Sequence, residues 1–472
     1  MTIRRTMADQ TSESPCDLPA TELARRLQRR ELSARDAVEA HLARIAERNG
    51  ALNAVVSLDP VRARAQADAA DAALRRGDAV GPLHGVPMTL KDAHDVAGLR
   101  TTVGSPLFDR VATEDGAVAA RLRAAGAVIT GHTNVAAFLG DFAQSVNPIF
   151  GRTANPWDPQ RVPGGSSGGA AAALAAGMTP LEVGSDMAGS IRLPAHFCGV
   201  YGLKTTEHRV PQTGFFRQPP GVPRSVRILN CLGPMARTLK DLQLALSIIA
   251  GPDGRDTDVP PVPLVRGDRR PLAALRLAVV AALPGTVVSR AIRDRLEHIA
   301  TAAADAGAQL ERRAPSLDWE ALHPLFGDLV ATITGVFDPG GDPSDERHTL
   351  RWYFGALEKR DRFITATEQF FGEVDALVLP TGMTSAFTHR EPGTPVIVDG
   401  ATIDYWQQAG LATPWNLTGS PALSVPAGLD DGGLPIGLQI VGPLWSEMRL
   451  IEIARELERA GVLPGFQPPP AR

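Results

Sequence analysis

The chain has 472 residues, 44% hydrophobic and 21% charged, with a formal net charge of −4. That is the composition of a globular protein with a sizeable core, and its charge balance gives no reason to expect nucleic acid or an anionic membrane as partner. Three cysteines (Cys16, Cys198, Cys231) are too few and too scattered for a disulfide framework or a zinc site, and no apolar run reaches the roughly 18 residues of a membrane span.

The first residues carry arginines with no apolar core behind them, so no secretory signal is expected. Residues 1–16 read as the flexible tail of a cytoplasmic protein. Two amphipathic helices follow, over 21–28 and 33–48. Leu23, Leu27, Val38, Leu42 and Ile45 recur at helical spacing, and Ser33 stands where an N-cap belongs. Residues 51–58 read as a strand and 60–76 as an alanine-rich helix. In GPLHGVPMTLKDAHD (81–95), residues 86–90 form a short strand interrupted by Pro87, hence an edge strand or a strand start. Lys91 stands at its end, beside Asp92. Such a lysine is either a solvated surface charge or, at the rim of a core sheet, a base whose pKa is lowered by desolvation.

Residues 117–125 as helix and 127–131 as strand carry the alternation of an α/β repeat. Residues 134–140 start another helix, and 151–157 form a loop leading into GGSSGG (164–169). Residues 205–225 read as a long loop, 226–231 as a strand, and 233–241 as the approach to a helix ending near 250. The polar, proline-rich stretch 251–274 is the candidate internal linker. Strand 275–280, helix 289–306 and a short strand near Gln309 resume the alternation. Residues 315–362 are helical with loops, followed by helix 363–371 and strand 376–380. Residues 420–442 read as a hairpin about Asp430-Asp431-Gly432-Gly433, and 447–460 as a closing helix. The whole pattern predicts an α/β fold with a mixed central sheet covered by helices on both faces.

Gly/Ser runs are commonly linkers, but GGSSGG runs straight into AAAALAA, seven residues of high helix propensity, and then into a second small-residue turn, Gly184-Ser185-Asp186-Met187-Ala188-Gly189-Ser190. Glycines that open a helix let the backbone come close to a ligand and leave N–H groups free for negative charge. Two such turns, each with a serine, suit acyl chemistry. Phosphate-loop spacings are absent, and the ten histidines show no metal-ligand spacing, so no cofactor and no metal are expected. Gly165-Ser166-Ser167-Gly168-Gly169 does satisfy G-x-S-x-G, the nucleophile elbow of esterases. That reading makes Ser167 the nucleophile and needs a preceding strand, where Pro163 stands, and a late histidine, His348 or His389. The alternative needs no histidine: a neutral Lys91 takes a proton from one serine, which takes it from the second.

The segment 164–205, with GVPMTLKD, GPMART and GLPIGLQIVG, resembles the shared blocks of the amidase signature family from about Gly81 to the C-terminus. The resemblance implies that Ser190 is the acyl-enzyme nucleophile, that Ser166, joined to Gly165 by a cis peptide, shuttles the proton, and that Lys91 is the base. It further implies an oxyanion hole from the N–H groups of Met187, Ala188, Gly189 and Ser190, with Ser167, Asp186 and Arg192 in support. Residues 17–472 would form one catalytic domain, with a signature core at about 81–250 and a variable substrate region at about 251–415. Met187-Ala188 replaces the family's usual Thr-Gly, and Ala137-Phe138 its usual Glu-Phe, which points to an altered acyl pocket. Ala188 carries a Cβ, so the turn is expected either to keep φ negative there or to bear some strain.

Family members hydrolyse fatty-acid amides, aryl-acyl amides, carbamates and malonamide, or release ammonia from glutamine as part of a transamidation complex. The aromatics Phe215, Phe216, Trp352, Tyr353, Phe354, Tyr405 and Trp406 are candidates for the pocket or for the core, and fit a small apolar or aryl amide or carbamate better than glutamine. The expected partner is that small molecule alone, with no nucleic acid and no membrane, in a monomer or homodimer. A protein like the glutamine-hydrolysing component of an amidotransferase remains the alternative.

Overall fold

The computed structural model describes residues 14–218, 222–265, 269–336 and 345–470. Residues 1–13 of the expected tail lie outside them. Its last residues do not behave as a tail: Pro15–Asp17 forms a 3-10 turn with Cys16 buried.

Ser33 caps helix α1 (Ala34–Leu52), its hydroxyl accepting from the Asp36 N–H. The helix runs further than expected and stops at Asn53, which takes a left-handed φ of 47°. Strand β1 is therefore only Val55–Leu58. Strand β2 (Pro87–Lys91) begins with its proline, which spares the ladder a missing donor, and all five residues are buried. With β3 (Val128–Thr133) they form a three-stranded sheet of order β1-β3-β2, antiparallel between β1 and β3 and parallel between β3 and β2.

The second sheet has eight strands: β4 (Leu181–Asp186), β5 (Tyr201–Lys204), β6 (Cys231–Ala236), β7 (Arg276–Val279), β8 (Gln309–Glu311), β9 (Ala376–Pro380), β10 (Ala422–Leu429) and β11 (Pro435–Val441), in the order β8-β7-β9-β11-β10-β5-β6-β4. The β8-β7-β9 end is parallel and the rest antiparallel, the mixed sheet expected of the alternation. The β10–β11 hairpin closes as read, with Asp430 Oδ1 accepting from the N–H groups of Gly432 and Leu434. Strand β4 lies against β2, so the two sheets meet at the site. One hydrophobic cluster runs through both, from Leu23 and Met88 to Leu438 and Ile451.

Helix α2 (Gly168–Ala175) is buried along its whole length. Only a helix of this composition fits: a Cβ at Gly169 would stand 2.4 Å from the Asn134 nitrogen, and one at Gly165, just before the helix, 2.3 Å from the Gln144 carbonyl oxygen. The glycine-serine run is a close-packing device and no linker. Helix α3 is Arg192–Cys198, α4 is Trp319–Gly335, α5 is Leu350–Phe371 and α6 is Thr413–Leu417. The expected helix 363–371 is the C-terminal part of α5.

Two expected elements fail as well. Residues 134–140 make only a 3-10 turn, Ala137–Leu139, with Phe138 at φ 52° and Leu139 at φ 57°. There the Phe138 N–H goes to the Val103 carbonyl, a tertiary partner that competes with the helix. The strand placed at 226–231 starts at Cys231, because the Leu229 N–H is taken by the Glu207 carboxylate and Leu229 itself has φ 69°. No helix among the described residues is long and apolar enough to cross a membrane.

Candidate active site

Lys91, the last residue of β2, has no solvent exposure. Its Nζ stands 2.8 Å from each of three hydroxyls, Ser166 Oγ, Ser167 Oγ and Ser185 Oγ. Burial pulls its pKa down to about 7, partly opposed by the charges of Asp186 and Glu182. An ammonium has three donors and would fill all three contacts. A neutral amine has two donors and one lone pair, so one hydroxyl must turn and donate to it. Near neutral pH the site can therefore hold a base with serine protons already in reach. Of the two readings of Lys91, the solvated surface charge is excluded.

Ser166 and Ser167 open α2, and the Gly165–Ser166 peptide is cis. The Ser167 N–H donates to the Ser190 carbonyl at 3.2 Å, which ties the glycine-serine turn to the second small-residue turn. The sequence does not single out Ser185, where it is one more small residue in GSD. Its inward place follows only from β4 lying beside β2.

The turn carrying Ser190 connects β4 to α3 and is built around Asp186. That carboxylate accepts from the N–H groups of Gly189 (2.8 Å), Ile191 (3.2 Å) and Arg192 (3.3 Å), and pairs with the Arg192 guanidinium at 2.9 and 3.0 Å. Burial alone would raise the Asp186 pKa, but the Arg192 charge outweighs it and holds the carboxyl far below its usual range. Arg192 is fully buried and reaches on to the Ala412 carbonyl, Asn416 Oδ1 and Gln439 Oε1. Asn416 returns Nδ2 to Asp186. Gln439 lies within the GLPIGLQIVG block, which gives it no role of its own, and Asn416 carries no distinguishing local pattern; only the packing of α6 and β11 against the turn reveals what they do.

Gly189 takes φ 98°, a conformation that favours glycine, and Ala188 does not share it. The turn keeps φ negative at Ala188, as its Cβ requires. The four N–H groups expected to form an oxyanion hole differ in what they already bond. The Gly189 N–H is committed to Asp186, which leaves the N–H groups of Met187, Ala188 and Ser190 without a hydrogen bond to another described residue.

Ser166 and Ser190 line the same cavity of about 280 Å³, together with Ser185, Met187 and Ala188. Its walls are aromatic: Phe138, Phe142, Phe215, Phe216, Phe326 and Trp406. No charged side chain lines it among the described residues. Of the expected aromatics, Phe215, Phe216 and Trp406 are on the wall. Tyr405 stands behind it, fully buried, donating to Asp141 Oδ2 at 2.7 Å. Trp352 lines a different cavity, Tyr353 packs in a neighbouring core cluster, and Phe354 is exposed. Phe138 belongs to the altered Ala137-Phe138 pair, where a change of pocket is expected. Phe142 and Phe326 join the wall with no signal in the sequence around them.

The nucleophile-elbow alternative finds no support. Ser167 is fully buried and off the cavity wall, and irregular chain precedes it. His389 makes no hydrogen bond to a serine among the described residues, and the side chain of His348 lies outside them.

A buried lysine held by serines, two of which, Ser166 and Ser185, line a cavity with no charged side chain among the described residues, on a mixed α/β fold, defines a class, and comparison with known proteins agrees. A family profile described as Amidase matches residues 36–332 and 331–451. The chain belongs to the amidase signature family of C–N hydrolases. It is 34% identical over 477 residues to a subunit of the glutamyl-tRNA(Gln) amidotransferase of Synechococcus sp., covering 91% of this chain and 94% of that one. It is 35% identical over 485 residues to the corresponding subunit of Thermus thermophilus, covering 93% and 97%. Among solved structures it resembles a bacterial aryl acylamidase of the amidase signature family, with a TM-score of 0.81, 25% identity, and 94% and 96% of the two chains covered.

Proposed function

We propose that this protein is an amidase that cleaves the C–N bond of small, neutral, apolar or aryl amides, and of carbamates with the same acyl shape. The observation that carries the reading is the aromatic cavity onto which Ser166 and Ser190 open, with no charged side chain on its wall among the described residues. Apolar groups gain about 25 cal/mol per Å² on entering such a wall. The zwitterion of glutamine would lose the solvation of two charges there without a partner.

In this mechanism neutral Lys91 takes the proton of Ser166 as Ser166 takes that of Ser190. Ser190 Oγ attacks the substrate carbonyl, and the oxyanion is held by the free N–H groups of Met187, Ala188 and Ser190. Gly189 acts indirectly, through Asp186, by fixing the turn. The proton stored on Lys91 passes back through Ser166 to the leaving nitrogen as the C–N bond breaks, giving amine and acyl-Ser190. Water then attacks the ester, giving its proton to the same relay, and the acid leaves as Ser190 is restored. Residues 17–472 act as one catalytic domain, with 81–250 supplying the machinery and most of the pocket wall, and 251–415 adding one side of it through α4 and Trp406.

Identity to amidotransferase components along more than 90% of the chain favours a second reading, a glutamine-hydrolysing member of a larger assembly. Whole-chain similarity weighs towards it and the uncharged wall against it. Assaying the isolated chain on para-nitroanilides, aryl carbamates and glutamine separates them. Turnover of anilides or carbamates with glutamine inert supports the amidase. Hydrolysis of glutamine alone would sink it.

A further inference from the structure

Helix α4 looks into two cavities. Phe326, Val330 and Thr334 face the catalytic one. Ala321, Pro324, Leu325 and Asp328 lie on the opposite side of the same helix, given 3.6 residues per turn, and line a larger groove of about 670 Å³ closed by α5. Nothing in the proposed reaction uses this groove.

Its floor is apolar: Leu325, Ala356 and Phe363 are buried, and Trp352 stands half-buried beside them. Its rim is cationic, with Arg351, Lys359 and Arg362 on one stripe of α5. The other charges are already engaged. Arg362 pairs with Glu358 at 2.8 Å, Asp328 stands 3.5 Å from Arg347, and Asp318 caps α4 by accepting from the Ala321 N–H. Arg351 and Lys359 have no carboxylate partner among the described residues.

We propose that this groove binds an amphiphilic monoanion, an aryl or alkyl carboxylate, with its apolar body on Phe363 and Ala356 and its headgroup between Arg351 and Lys359. The volume suits a small molecule, and an apolar floor with a few convergent polar groups is the common form of such sites. A neutral ligand would leave both cations unused. An acidic protein segment would carry further negative charge towards Asp318 and Asp328, which disfavours it. The assignment does not depend on what the catalytic cavity hydrolyses.

The probe is 4-phenylbutyrate, titrated calorimetrically into the full chain, with 4-phenylbutan-1-ol as its uncharged counterpart. A Cβ at Gly355 meets nothing within 4 Å, so Gly355→Leu grows into the groove without displacing a neighbour. Gly327, whose Cβ would also be free, lines the catalytic cavity, so Gly327→Leu serves as the control. The expected result is saturable binding that weakens about tenfold or more, equal to about 1.4 kcal/mol, in Gly355→Leu and in Arg351→Glu/Lys359→Glu. Gly327→Leu should bind as wild type does, and the alcohol at least about tenfold more weakly than the acid. Lys359→Glu alone keeps the test open if the double variant fails to fold. No saturable binding, equal affinity for the alcohol, or binding lost in Gly327→Leu and kept in the groove variants would each overturn the proposal.

Discussion

At the scale of single residues, the site turns on the protonation of Lys91. With its pKa lowered to about 7 by burial, the amine is neutral above that pH and able to accept a proton, and below it carries three donors and no lone pair. kcat/KM for an amide substrate is therefore expected to fall as pH drops through about 7. Replacing the base, Lys91→Met, should cost about 10²–10⁴-fold, and Ser190→Ala on the order of 10⁶-fold in kcat. Residual activity in Ser190→Ala at the wild-type level would discard Ser190 as nucleophile.

Glu182 adds a second titration. It is fully buried on β4, accepts from Thr133 Oγ1 at 3.0 Å, and is pushed up to about 7 by burial. Its carboxylate raises the pKa of Lys91, so Glu182→Gln is expected to move the acid limb of the pH–rate profile to lower pH. Its effect on stability has its own sign. Because the folded pKa of Glu182 lies above the ordinary value of 4.5, the folded state holds this proton more tightly, and the stability so contributed is present below 4.5 and lost as pH rises to about 7. Denaturant melts should thus show Glu182→Gln gaining on wild type between pH 5 and pH 7. An unmoved acid limb together with parallel stabilities would remove Glu182 from the account.

At the scale of elements, the two small-residue turns are held by opposite means. Helix α2 is placed by lack of volume: Gly169→Ala would drive a Cβ to 2.4 Å from backbone, and the resulting shift is expected to cost about 1–3 kcal/mol in a denaturant melt. The Ser190 turn is placed by charge. Removing Arg192 leaves Asp186 buried and unpaired, so Arg192→Met should destabilise by about 3–5 kcal/mol and reduce kcat as well, because the freed carboxylate no longer fixes Gly189. Helix α4 decides volume. Gly327→Leu should raise KM for bulky aryl-acyl substrates about 10-fold or more while sparing acetyl ones. Equal effects on both would mean that Gly327 does not bound the acyl group.

At the scale of the molecule, the site is shared between distant parts of the chain. Lys91, Ser166 and Ser190 come from the first half, but Arg192 finds its remaining partners at Ala412, Asn416 and Gln439, and Trp406 closes the cavity. A fragment ending at residue 250 keeps every proposed catalytic side chain and loses the braces. It is expected to show no measurable amide hydrolysis. Activity in that fragment would mean that the turn organises itself.

The parts legible from sequence are those whose physics is local. The helix-opening glycines of GGSSGG, the strand ending in Lys91 and the Asp430 hairpin each carry their reason in adjacent residues, and all three stand where the sequence places them. Family resemblance draws the serines and the lysine into one hypothesis. What only the tertiary structure decides is anything set by a partner far along the chain. The 134–140 segment gives up its helix to the Val103 carbonyl, Ser185 becomes a third hydroxyl on Lys91 because β4 packs beside β2, and the Gly189 N–H turns to Asp186. A single sequence encodes spacing along the chain, whereas desolvation, donor commitment and the absence of charge on a cavity wall arise only when residues hundreds of positions apart exclude water together.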